Sequence, residues 1–440
     1  MNDSNNKIIP RTLTGFMELL PNEQVLFNKM MEKIKNSYER FGFLPLDTPI
    51  IELAEVLLAK AGGETEKQIY HFTKGENDLT LRFDLTVPLA KYIAQYYNLL
   101  NFPFRRYQIG KVYRGERPQK GRFREFYQCD IDIIGDEELN IVNDAEIPSV
   151  IYNTFQELGF QDFTIFINNR KILNGLFQYL NLSDNASGIM RTIDKFDKIG
   201  KDAVEEELKE LGVEESGIST IMQFIEIQGT SDEKISSLNS LGIENELFCE
   251  GLKELTKVVK CIRLFGVPDT HFLIDLKIAR GLDYYTGTVY ETFLNQYRNI
   301  GSVCSGGRYD NLAEFYTDKK LPGVGISIGL TRLFYQLNEM KLINADKQSI
   351  SDVLIIPVME DISKCLSVAT DLRRAGINTE VYINDKKLKA KFNYANKLNI
   401  PYVIIIGEDE CNTGLLSFKD LRTGEEVKTS VDEIIKIIKK

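Results

Sequence analysis

The sequence predicts an α+β protein that is built on an antiparallel sheet, carries a helical insertion and ends in a separate α/β domain. Three observations favour this fold class. Strand-like and helical segments are mixed over residues 1–170 and 263–340, helical spacing fills residues 171–262, and strands alternate with helices over residues 351–440. A chain of 440 residues is also too long for one ordinary hydrophobic core. We therefore expect several domains with these boundaries.

A long amphipathic helix is predicted near the start of the chain. Apolar side chains recur at helical spacing over residues 22–41, with Asn22 as the expected N-cap and Gly42 as the expected end of the helix. The segment that follows, GFLPLDTPIIEL, contains Pro45 and Pro49. Because proline cannot donate to a strand ladder, this segment is expected at the edge of a sheet.

Shorter strand-like segments follow. Apolar and polar residues alternate over residues 68–74 and 79–86, and a helix is predicted over residues 87–97. Two longer apolar runs, residues 104–114 and 123–135, are separated by a loop rich in basic residues. They predict an antiparallel pair of strands with a long, charged connection.

The remaining segments complete the two predicted bodies. Helical spacing resumes over residues 140–160, strands return over residues 271–293 and 301–312, and a helix is predicted over residues 330–340. A polar linker at residues 344–351 then leads into βαβ-type alternation. The predicted strands of this last domain are residues 351–358, 377–383 and 401–407, and its predicted helices are residues 362–375 and 388–398.

Composition limits the kinds of site that the chain can hold. No apolar run is long enough to span a membrane, and no secretory signal is recognisable, so a cytosolic location is expected. The six cysteines are dispersed without a CxxC pair, which argues against zinc and disulfides and favours buried, reduced thiols. With only His71 and His271, an ion would have to be held by carboxylates and substrate phosphates, which suits Mg2+ with ATP.

The net charge of −10 is unusual for a protein that binds nucleic acid. However, residues 351–440 contain 14 basic and 14 acidic side chains, so the acidic excess lies in the rest of the chain. A local basic face on the last domain is therefore compatible with the sequence.

The densest group of charges is in the segment YRGERPQKGRFREF, which contains Arg114, Glu116 and Arg122. Guanidinium groups bind phosphate oxygens in a bidentate manner, so several of them on one loop can hold a triphosphate. The chain has no GxxxxGK[ST] loop, and an ATP-binding protein would need such an alternative. A solvated basic hairpin explains the charges equally well.

This segment resembles motif 2 of class II aminoacyl-tRNA synthetases, in which a strand carries Arg-x-Glu before a basic loop. The long helix with GFLPLDTP is similar to motif 1, and GVGISIGLTRL is similar to motif 3, whose arginine would be Arg332. The strings RGLDYYTG (280–287), CSGGRYDNL (304–312) and LRFDLTVP (81–88) resemble signatures of the histidyl-tRNA synthetase family. The resemblance covers nearly the whole chain. It implies an antiparallel-sheet class II synthetase catalytic domain with a helical insertion, plus a C-terminal α/β anticodon-binding domain.

The resemblance implies roles for residues on the ATP side of the site. Arg114 would contact the α-phosphate, Glu116 the adenine amino group and Arg122 the outer phosphates. Phe126 would stack beneath the adenine, and Arg332 would meet the triphosphate from the other side. Fixed guanidinium groups stabilise the negative charge that builds on phosphoryl oxygens, which is the reason to regard Arg114 as catalytic.

The resemblance also implies a pocket for histidine. The implied residues are Asp84, Thr86 and Gln128 for the α-ammonium, Asp132 and Tyr285 for the imidazole nitrogens with Tyr284 beside them, and Arg280 for the carboxylate and the α-phosphate. Arg280 would be the second catalytic residue. Neutral imidazole offers one donor and one acceptor, so an analogue that lacks either would leave buried groups unpaired.

Simpler structural explanations exist for several of these residues. Asp84 and Asp132 could be strand-end carboxylates that accept from backbone amides, the two tyrosines an alternating strand pair, and Gly306 and Gly307 a bulge or turn. Thr331 stands where motif 3 more usually has an acidic residue. The ligands of Mg2+ therefore stay unassigned.

The implied activity is ATP-dependent activation of histidine and its transfer to tRNA(His), by a homodimer. The main alternative is a non-catalytic, histidine-sensing regulatory subunit of ATP phosphoribosyltransferase, which shares the same core. A tRNA-binding or kinase-associated module without activity is a third reading. The presence of Arg280 and of a complete α/β domain over residues 351–440 argues against the regulatory subunit. An inactive module would leave the set of Arg114, Arg122 and Arg332 unexplained.

Overall fold

The computed structural model describes residues 8–59, 64–117, 121–278, 284–345 and 348–439. Within these ranges the chain forms two compact units, one made of residues up to 17 with residues 30–340, and the other of residues 18–29 with residues from 341 onward. The predicted boundaries of the helical insertion lie inside the first unit and stay a prediction. In the part of the chain that the structure describes, no helix is long and apolar enough to cross a membrane.

The first unit combines a large sheet, a small sheet and many helices. Its strands are β1 (Leu44–Pro45), β2 (Ile51–Leu53), β3 (His71–Lys74), β4 (Asn77–Leu81), β5 (Phe104–Tyr113), β6 (Glu125–Ile134), β7 (Phe163–Asn169), β8 (Phe272–Ile274), β9 (Thr288–Leu294), β10 (Cys304–Tyr309) and β11 (Gly323–Gly329). Helix α1 (Pro21–Arg40) contains residues of both units. The helices that follow are α2 (Ala54–Leu58), α3 (Glu64–Gln68), α4 (Thr86–Tyr96), α5 (Val142–Leu158), α6 (Arg170–Tyr179), α7 (Ala186–Ile193), α8 (Phe196–Ile199), α9 (Lys201–Glu210), α10 (Glu215–Ile225), α11 (Ser231–Ser240), α12 (Glu246–Leu264) and α13 (Leu330–Glu339).

The large sheet is mainly antiparallel. Over the described residues it has eight strands in the order β1-β5-β6-β11-β10-β9-β7-β8. Its six inner strands, from β5 to β7, pair antiparallel, and the edge strands β1 and β8 pair parallel to their neighbours. Strands β2, β4 and β3 form a small antiparallel sheet. This topology confirms the predicted α+β, antiparallel-sheet class.

The sequence pattern located the central strands and the edge strand correctly. Strands β5 and β6 pair antiparallel from Phe104 opposite Ile134 to Tyr113 opposite Glu125, as the two apolar runs predict. Strand β1 lies at the sheet edge and contains Pro45, in agreement with the rule for proline in strands.

The long first helix ends as predicted but begins differently. Gly42 has a φ of +76°, and its N–H donates to the carbonyl of Glu39, which is the left-handed glycine ending expected from the sequence. The predicted N-cap at Asn22 is wrong. The helix begins at Pro21, and the Glu23 carboxylate accepts from the N–H of Leu20 at 3.1 Å. Proline suits this position because it has no N–H to leave unpaired.

The helical insertion is confirmed as a run of helices from α6 to α12. Helices α6 and α12 approach closely at two glycines. A Cβ at Gly175 would lie 2.3 Å from the backbone nitrogen of Phe248, and one at Gly251 would lie 2.8 Å from that of Ile172. Only glycine permits this helix crossing, which joins the insertion firmly to the end of strand β7.

The second unit is an α/β fold. Its strands are β12 (Val353–Pro357), β13 (Thr379–Val381), β14 (Tyr402–Ile406), β15 (Leu416–Asp420) and β16 (Glu426–Thr429), and its helices are α14 (Ser363–Arg374), α15 (Leu388–Lys397), α16 (Glu408–Thr413) and α17 (Val431–Lys439). The described strands have the order β13-β12-β14-β15-β16. The parallel pairs β12/β13 and β12/β14 confirm the predicted βαβ alternation. Elements β15, β16, α16 and α17 lie outside the sequence-based predictions.

The cysteines agree only partly with the expectation of buried thiols. All six are free, and Cys129, Cys304 and Cys365 are buried. Cys249, however, is exposed on helix α12.

Candidate active site

One face of the large sheet forms the floor of a cavity of about 560 Å3. The register aligns two rows of residues across neighbouring strands on this face. One row runs Arg106, Asp132, Gly325, Gly307 and Val289, and the other runs Gln108, Asp130, Ser327, Ser305 and Glu291. Side chains that are two residues apart on a strand share a face, so both rows face the same side.

Strand β6 separates the cavity from the hydrophobic core. Gln128, Asp130 and Asp132 line the cavity, whereas the intervening Cys129 and Ile131 are completely buried behind the sheet. Alternation of polar and apolar side chains in the string QCDID therefore produces a polar floor on a buried strand.

Glycines make room for the functional side chains on this floor. A Cβ at Gly325 would lie 2.2 Å from Oδ1 of Asp132, and one at Gly307 would lie 3.0 Å from the ring of Tyr285. Gly306 is equally confined, since its Cβ would meet the carbonyl oxygen of Gly325 at 2.1 Å. Gly306 and Gly307 lie inside strand β10, so the interpretation of these residues as a bulge or turn is wrong.

Asp132 is held by two buried side chains that the sequence had not indicated. Its Oδ1 accepts from the hydroxyl of Tyr309 at 2.6 Å, and its Oδ2 lies 2.6 Å from Nη2 of Arg106 in an ion pair. Arg106 has no exposed surface, and its Nη2 also donates to the carbonyl of Leu85. Burial raises the pKa of Asp132 to about 6, and the charge of Arg106 opposes that rise.

Asp130 lies in the neighbouring row and has a different environment. Its carboxylate is hydrogen-bonded by Ser327, whose Oγ in turn accepts from Nε2 of Gln128 at 2.8 Å. Burial raises the pKa of Asp130 to about 7, Arg106 lowers it and the carboxylate of Asp132 raises it further. Oδ1 of Asp130 and Oε1 of Gln128 are buried without a hydrogen-bond partner among the described residues.

Asp84 and Thr86 enter the cavity at the start of helix α4. Oδ1 of Asp84 accepts from the backbone N–H groups of Thr86 and Val87, at 3.1 and 2.8 Å. The simpler explanation of Asp84 as a carboxylate that accepts from backbone amides is therefore correct for one oxygen, although the residue also lines the cavity. Burial raises the pKa of Asp84, and its hydrogen bonds and Arg114 oppose the rise.

Tyr284 and Tyr285, the first described residues after position 278, line one part of the cavity. The rings of Tyr284 and Tyr285 meet edge to face at 4.9 Å, and Tyr284 meets Tyr309 at 5.8 Å. Tyr284 also makes a side-chain hydrogen bond with Thr86. Burial raises the pKa of both phenols, so each hydroxyl is neutral and able to donate. Arg280 lies outside the described residues.

Arg114 extends from the end of strand β5 into the cavity. Its Nε donates to the carbonyl of Phe83 at 3.2 Å, and its guanidinium lies 4.4 Å from the ring of Phe83 and 5.2 Å from the ring of Phe126. These contacts fix a cation between two aromatic rings. Burial lowers the pKa of Arg114, and the charges of Asp84 and Glu116 raise it.

Two further arginines line the same side of the cavity. Arg122 is 54% exposed and lies 3.5 Å from the carboxylate of Glu116. Arg332, at the start of helix α13, donates from Nη2 to the carbonyl of Ile300, and its Nε has no partner among the described residues. Burial lowers the pKa of Arg332, and the charge of Arg122 lowers it further. Two guanidinium groups that repel each other at an open cavity favour an anion between them.

The side chain of Thr331 holds two elements together and is not placed as a metal ligand. It is buried, and its Oγ1 accepts from the N–H of Tyr127 at 2.8 Å, which ties helix α13 to strand β6. Across the described ranges, no group of three or more His, Cys, Asp and Glu side chains is placed to hold a metal ion. A metal at this site would therefore depend on ligands from a substrate.

The structure thus places eleven of the sequence-predicted site residues in one cavity. The twelfth, Arg280, lies outside the described residues. The eleven residues are Asp84, Thr86, Arg114, Glu116, Arg122, Phe126, Gln128, Asp132, Tyr284, Tyr285 and Arg332. Sequence reasoning missed Arg106, Asp130 and Tyr309. Asp130 could have been found, since it lies two residues before Asp132 and must share its face. A charged Arg106 inside an apolar strand was a second available signal.

The cavity lies on an antiparallel sheet and is lined at one end by an arginine-rich strand-loop-strand. Helix α13, with Arg332 in its first turn, begins beside it. This combination defines a class II aminoacyl-tRNA synthetase. The family model for histidyl-tRNA synthetase matches residues 15–333, and that for an anticodon binding domain matches residues 352–440. The chain therefore belongs to the histidyl-tRNA synthetase family.

Similar proteins agree with this assignment over nearly the full length. The chain is 62% identical to the histidine–tRNA ligase of Clostridium tetani, over 98% of both chains. A crystal structure of histidyl-tRNA synthetase from Nostoc sp. PCC 7120 has a TM-score of 0.90 at 41% identity, covering 98% of this chain and 99% of the other. An ATP phosphoribosyltransferase regulatory subunit/histidyl-tRNA synthetase from Bacillus halodurans has a TM-score of 0.76 at 20% identity, over 88% of this chain and 97% of the other, which shows the common fold alone. The regulatory-subunit alternative is the less supported one.

Proposed function

We propose how this chain carries out the reaction of its family, the ATP-dependent ligation of histidine to tRNA. In the first step, a carboxylate oxygen of L-histidine attacks the α-phosphorus of ATP and pyrophosphate leaves, which gives histidyl-adenylate. In the second, a hydroxyl of the 3′-terminal adenosine of tRNA(His) attacks the activated carbonyl and AMP leaves. The observation that carries this proposal is a single cavity with arginines along one part and buried carboxylates along another.

The arginine side of the cavity suits ATP. Negative charge builds on the phosphoryl oxygens during attack at the α-phosphorus, and guanidinium groups that are already fixed stabilise it without reorganisation. Arg114 is fixed by Phe83 and Phe126, which supports a contact with the α-phosphate. Arg122 and Arg332 would take the outer phosphates. Glu116 would accept from the adenine amino group, and Arg280 would contact the α-phosphate and the histidine carboxylate.

The carboxylate side suits histidine. One carboxylate oxygen of Asp84 accepts from two backbone N–H groups, and the other oxygen would accept from the α-ammonium of the substrate. Thr86 and Gln128 would complete that contact. The phenol of Tyr285 is neutral and can donate to the acceptor nitrogen of imidazole. A buried pocket with these groups would reject analogues that leave them unpaired.

We further propose that Mg2+ enters with ATP. Such an ion is bound mainly by phosphate oxygens and water and needs one or two carboxylates from the protein. Glu116 and Glu291 line the cavity and are donors of the type required. Bound there, Mg2+ would neutralise charge on the phosphates. We expect histidine-dependent pyrophosphate exchange to stop with excess chelator and to return when Mg2+ is added.

The second unit would hold the anticodon. Lys386, Lys387 and Lys389 are exposed on and before the first turn of helix α15. Phosphate contacts from lysines supply affinity for RNA that falls with salt. We expect replacement of all three by Gln to raise the KM for tRNA(His) in aminoacylation and to leave pyrophosphate exchange unchanged. An unchanged KM for tRNA would assign anticodon binding to another surface.

We also propose a homodimer with two-fold symmetry, formed through the segment that resembles motif 1. Leu44, Ile50, Ile51 and Leu53 are exposed by 41 to 59%, which is unusual for neighbouring large apolar side chains. A second copy would bury them in an isologous interface. Sedimentation at micromolar concentration tests this proposal, and a monomer mass would contradict it.

The activity itself is tested by pyrophosphate exchange into ATP with each amino acid in turn. Exchange with histidine alone is the expected result. No exchange with any amino acid, together with histidine binding in calorimetry, would favour the regulatory subunit instead. Arg280→Ala is expected to abolish exchange, whereas a fully active variant would remove that arginine from the mechanism.

A further inference from the structure

We propose that Arg82 is a positioning residue for the attack on the α-phosphorus, and that it acts through Phe83 by holding the guanidinium of Arg114 in place. Arg82 itself does not line the cavity. This inference rests on the proposed function, because it names the residue that fixes the arginine to which the α-phosphate contact is assigned.

Arg82 connects two segments that are distant in sequence. It follows strand β4 and is 2% exposed. Its Nε donates to the carbonyl of Lys111 at 2.7 Å, and its Nη1 donates to the carbonyl of Thr48 at 2.6 Å. Its backbone N–H donates to the carbonyl of Ile50 at 2.9 Å, and its own carbonyl accepts from the N–H of Tyr113 at 3.0 Å. One residue thus ties the edge segment after strand β1 to the end of strand β5.

The charge of Arg82 has little compensation inside the protein. Among the described residues it pairs with one carboxylate, that of Asp47 at 3.3 Å, whose side chain is 82% exposed while that of Arg82 is 3% exposed. An enclosed cation without an enclosed counter-charge does not favour stability. The planar fork of arginine does, however, place several donors at fixed positions, which the flexible ammonium of lysine does not. The geometry of the side chain therefore explains its presence better than its charge.

A glycine on strand β5 makes room for this fork. A Cβ at Gly110 would lie 2.5 Å from Nη2 of Arg82 and 3.3 Å from its Cζ. The guanidinium of Arg82 therefore lies directly against the backbone of the strand from which Arg114 extends. A larger residue at position 110 would push the fork away from its carbonyl partners.

The residue after Arg82 holds Arg114. The carbonyl of Phe83 accepts from Nε of Arg114 at 3.2 Å, and its ring lies 4.4 Å from the same guanidinium. Arg82 fixes both the backbone that leads into Phe83 and the end of strand β5, so Arg114 is held from two sides. A fixed cation assists attack on phosphorus only where charge develops, and a displacement of about 1 Å can cost about 100-fold in rate. Arg82 is therefore placed to control the rate rather than the binding of substrates.

Two single variants test this role in histidine-dependent pyrophosphate exchange. Arg82→Lys keeps the charge and loses the fork, so kcat should fall at least about tenfold while the KM for ATP and for histidine stays within about threefold. Gly110→Ala keeps Arg82 in the chain but displaces its guanidinium, and it should lower kcat as well. Both are measured at a temperature where circular dichroism shows every variant folded.

Arg105→Lys is the matched control. Arg105 is also a largely buried arginine of strand β5, but it pairs with Glu146 at 2.8 Å and does not line the cavity. Its variant should lower the thermal midpoint and leave kcat within about twofold. A loss of kcat equal to that of Arg82→Lys would assign the effect to general loosening of the strand and would overturn the inference.

A double variant shows whether Arg82 acts through Arg114. In the Arg114→Ala background, Arg82→Lys should lower kcat by less than about twofold, because the group that it positions is absent. A residue that only stabilises the fold would lower kcat by the same factor in both backgrounds. Such full additivity would contradict the proposal.

The remaining outcomes separate this inference from the function on which it rests. Wild-type kcat in Arg82→Lys, or a raised KM with kcat unchanged, would overturn the inference and leave the proposed function standing. If Arg82→Lys does not fold, Gly110→Ala decides by the same criteria. Absence of histidine-dependent exchange in the wild type would overturn the proposed function, and this inference with it.

Discussion

The large sheet of the first unit and the sheet of the second unit use buried strands in opposite ways. In the second unit, all five residues of β12 are buried, and its apolar side chains enter two hydrophobic clusters, one on each face. In the first unit, β6 is apolar on one face only, and its other face carries Gln128, Asp130 and Asp132 into a cavity.

The difference indicates that the strand buried on both faces mainly stabilises the fold, whereas the strand with a polar face mainly serves the cavity. The apolar strand gains free energy from burial on both faces. The polar strand places two carboxylates out of water, beside the guanidinium of Arg106 on β5, which is unfavourable unless these charges are paired or meet a ligand. Proteins keep such unfavourable buried charges mainly at functional sites, where the charges serve binding or catalysis. The comparison predicts that changes on the cavity face affect activity more than stability, and that changes in the second sheet do the reverse.

The largest effect is expected for Arg114→Ala. Loss of the guanidinium between Phe83 and Phe126 should lower kcat for histidine-dependent pyrophosphate exchange by about 100- to 1,000-fold, because a preorganised positive charge at the reacting phosphate is removed. The thermal midpoint should change little. Arg124→Ala, an arginine of the same loop whose Nε donates to the carbonyl of Glu116, is the matched control and should retain much more activity. Equal losses in both variants would contradict a specific role for Arg114.

The second sheet should respond in the opposite way. Ile404 is completely buried on β14 between β12 and β15. Ile404→Ala should destabilise the second unit by about 3 kcal/mol, because apolar contacts are lost and a cavity remains. Aminoacylation of tRNA should fall at a temperature where pyrophosphate exchange persists. Val427→Ala, at an exposed position of β16, should leave the thermal midpoint almost unchanged.

A smaller effect, with a characteristic pH dependence, is expected for Asp130→Asn. The folded pKa of Asp130 is raised to about 7, so the stability that its protonation provides is present at acid pH and lost as pH rises from about 4 through 7. The variant lacks this loss and should therefore be stabilised relative to the wild type at pH 8 compared with pH 4. Thermal midpoints at the two pH values measure the gain. The exposed Asp202→Asn is the control, and a gain that is larger at pH 4 would refute the assignment.

The smallest effect is expected on the surface of the insertion. Lys201 pairs with Glu226 at 2.8 Å, but both side chains are largely exposed. Water and salt screen such a pair. Lys201→Met should therefore leave both the thermal midpoint and pyrophosphate exchange unchanged, in contrast to the buried pair of Arg106 and Asp132. A clear drop in midpoint would show that exposed pairs matter more here than we expect.

The sequence by itself determined the fold class, the central antiparallel pair, the helical insertion and most of the cavity residues. The first three features follow from local spacing, because apolar periodicity and strand alternation depend only on near neighbours along the chain. The cavity residues follow instead from the resemblance of short motifs to those of a known family. Asn22 shows the limit of reasoning from local spacing, since the helix begins at Pro21 and the Glu23 carboxylate accepts from the N–H of Leu20.

Only the tertiary structure decided how the buried charges are divided. Arg106 on β5 lies opposite Asp132 on β6, and Tyr309 reaches the same carboxylate from β10, across the intervening strand β11. Which carboxylate oxygens remain without a hydrogen-bond partner among the described residues depends on these contacts between distant segments. No local pattern contains that information, since a carboxylate on a strand face looks the same in sequence whether its partners are protein groups or a substrate.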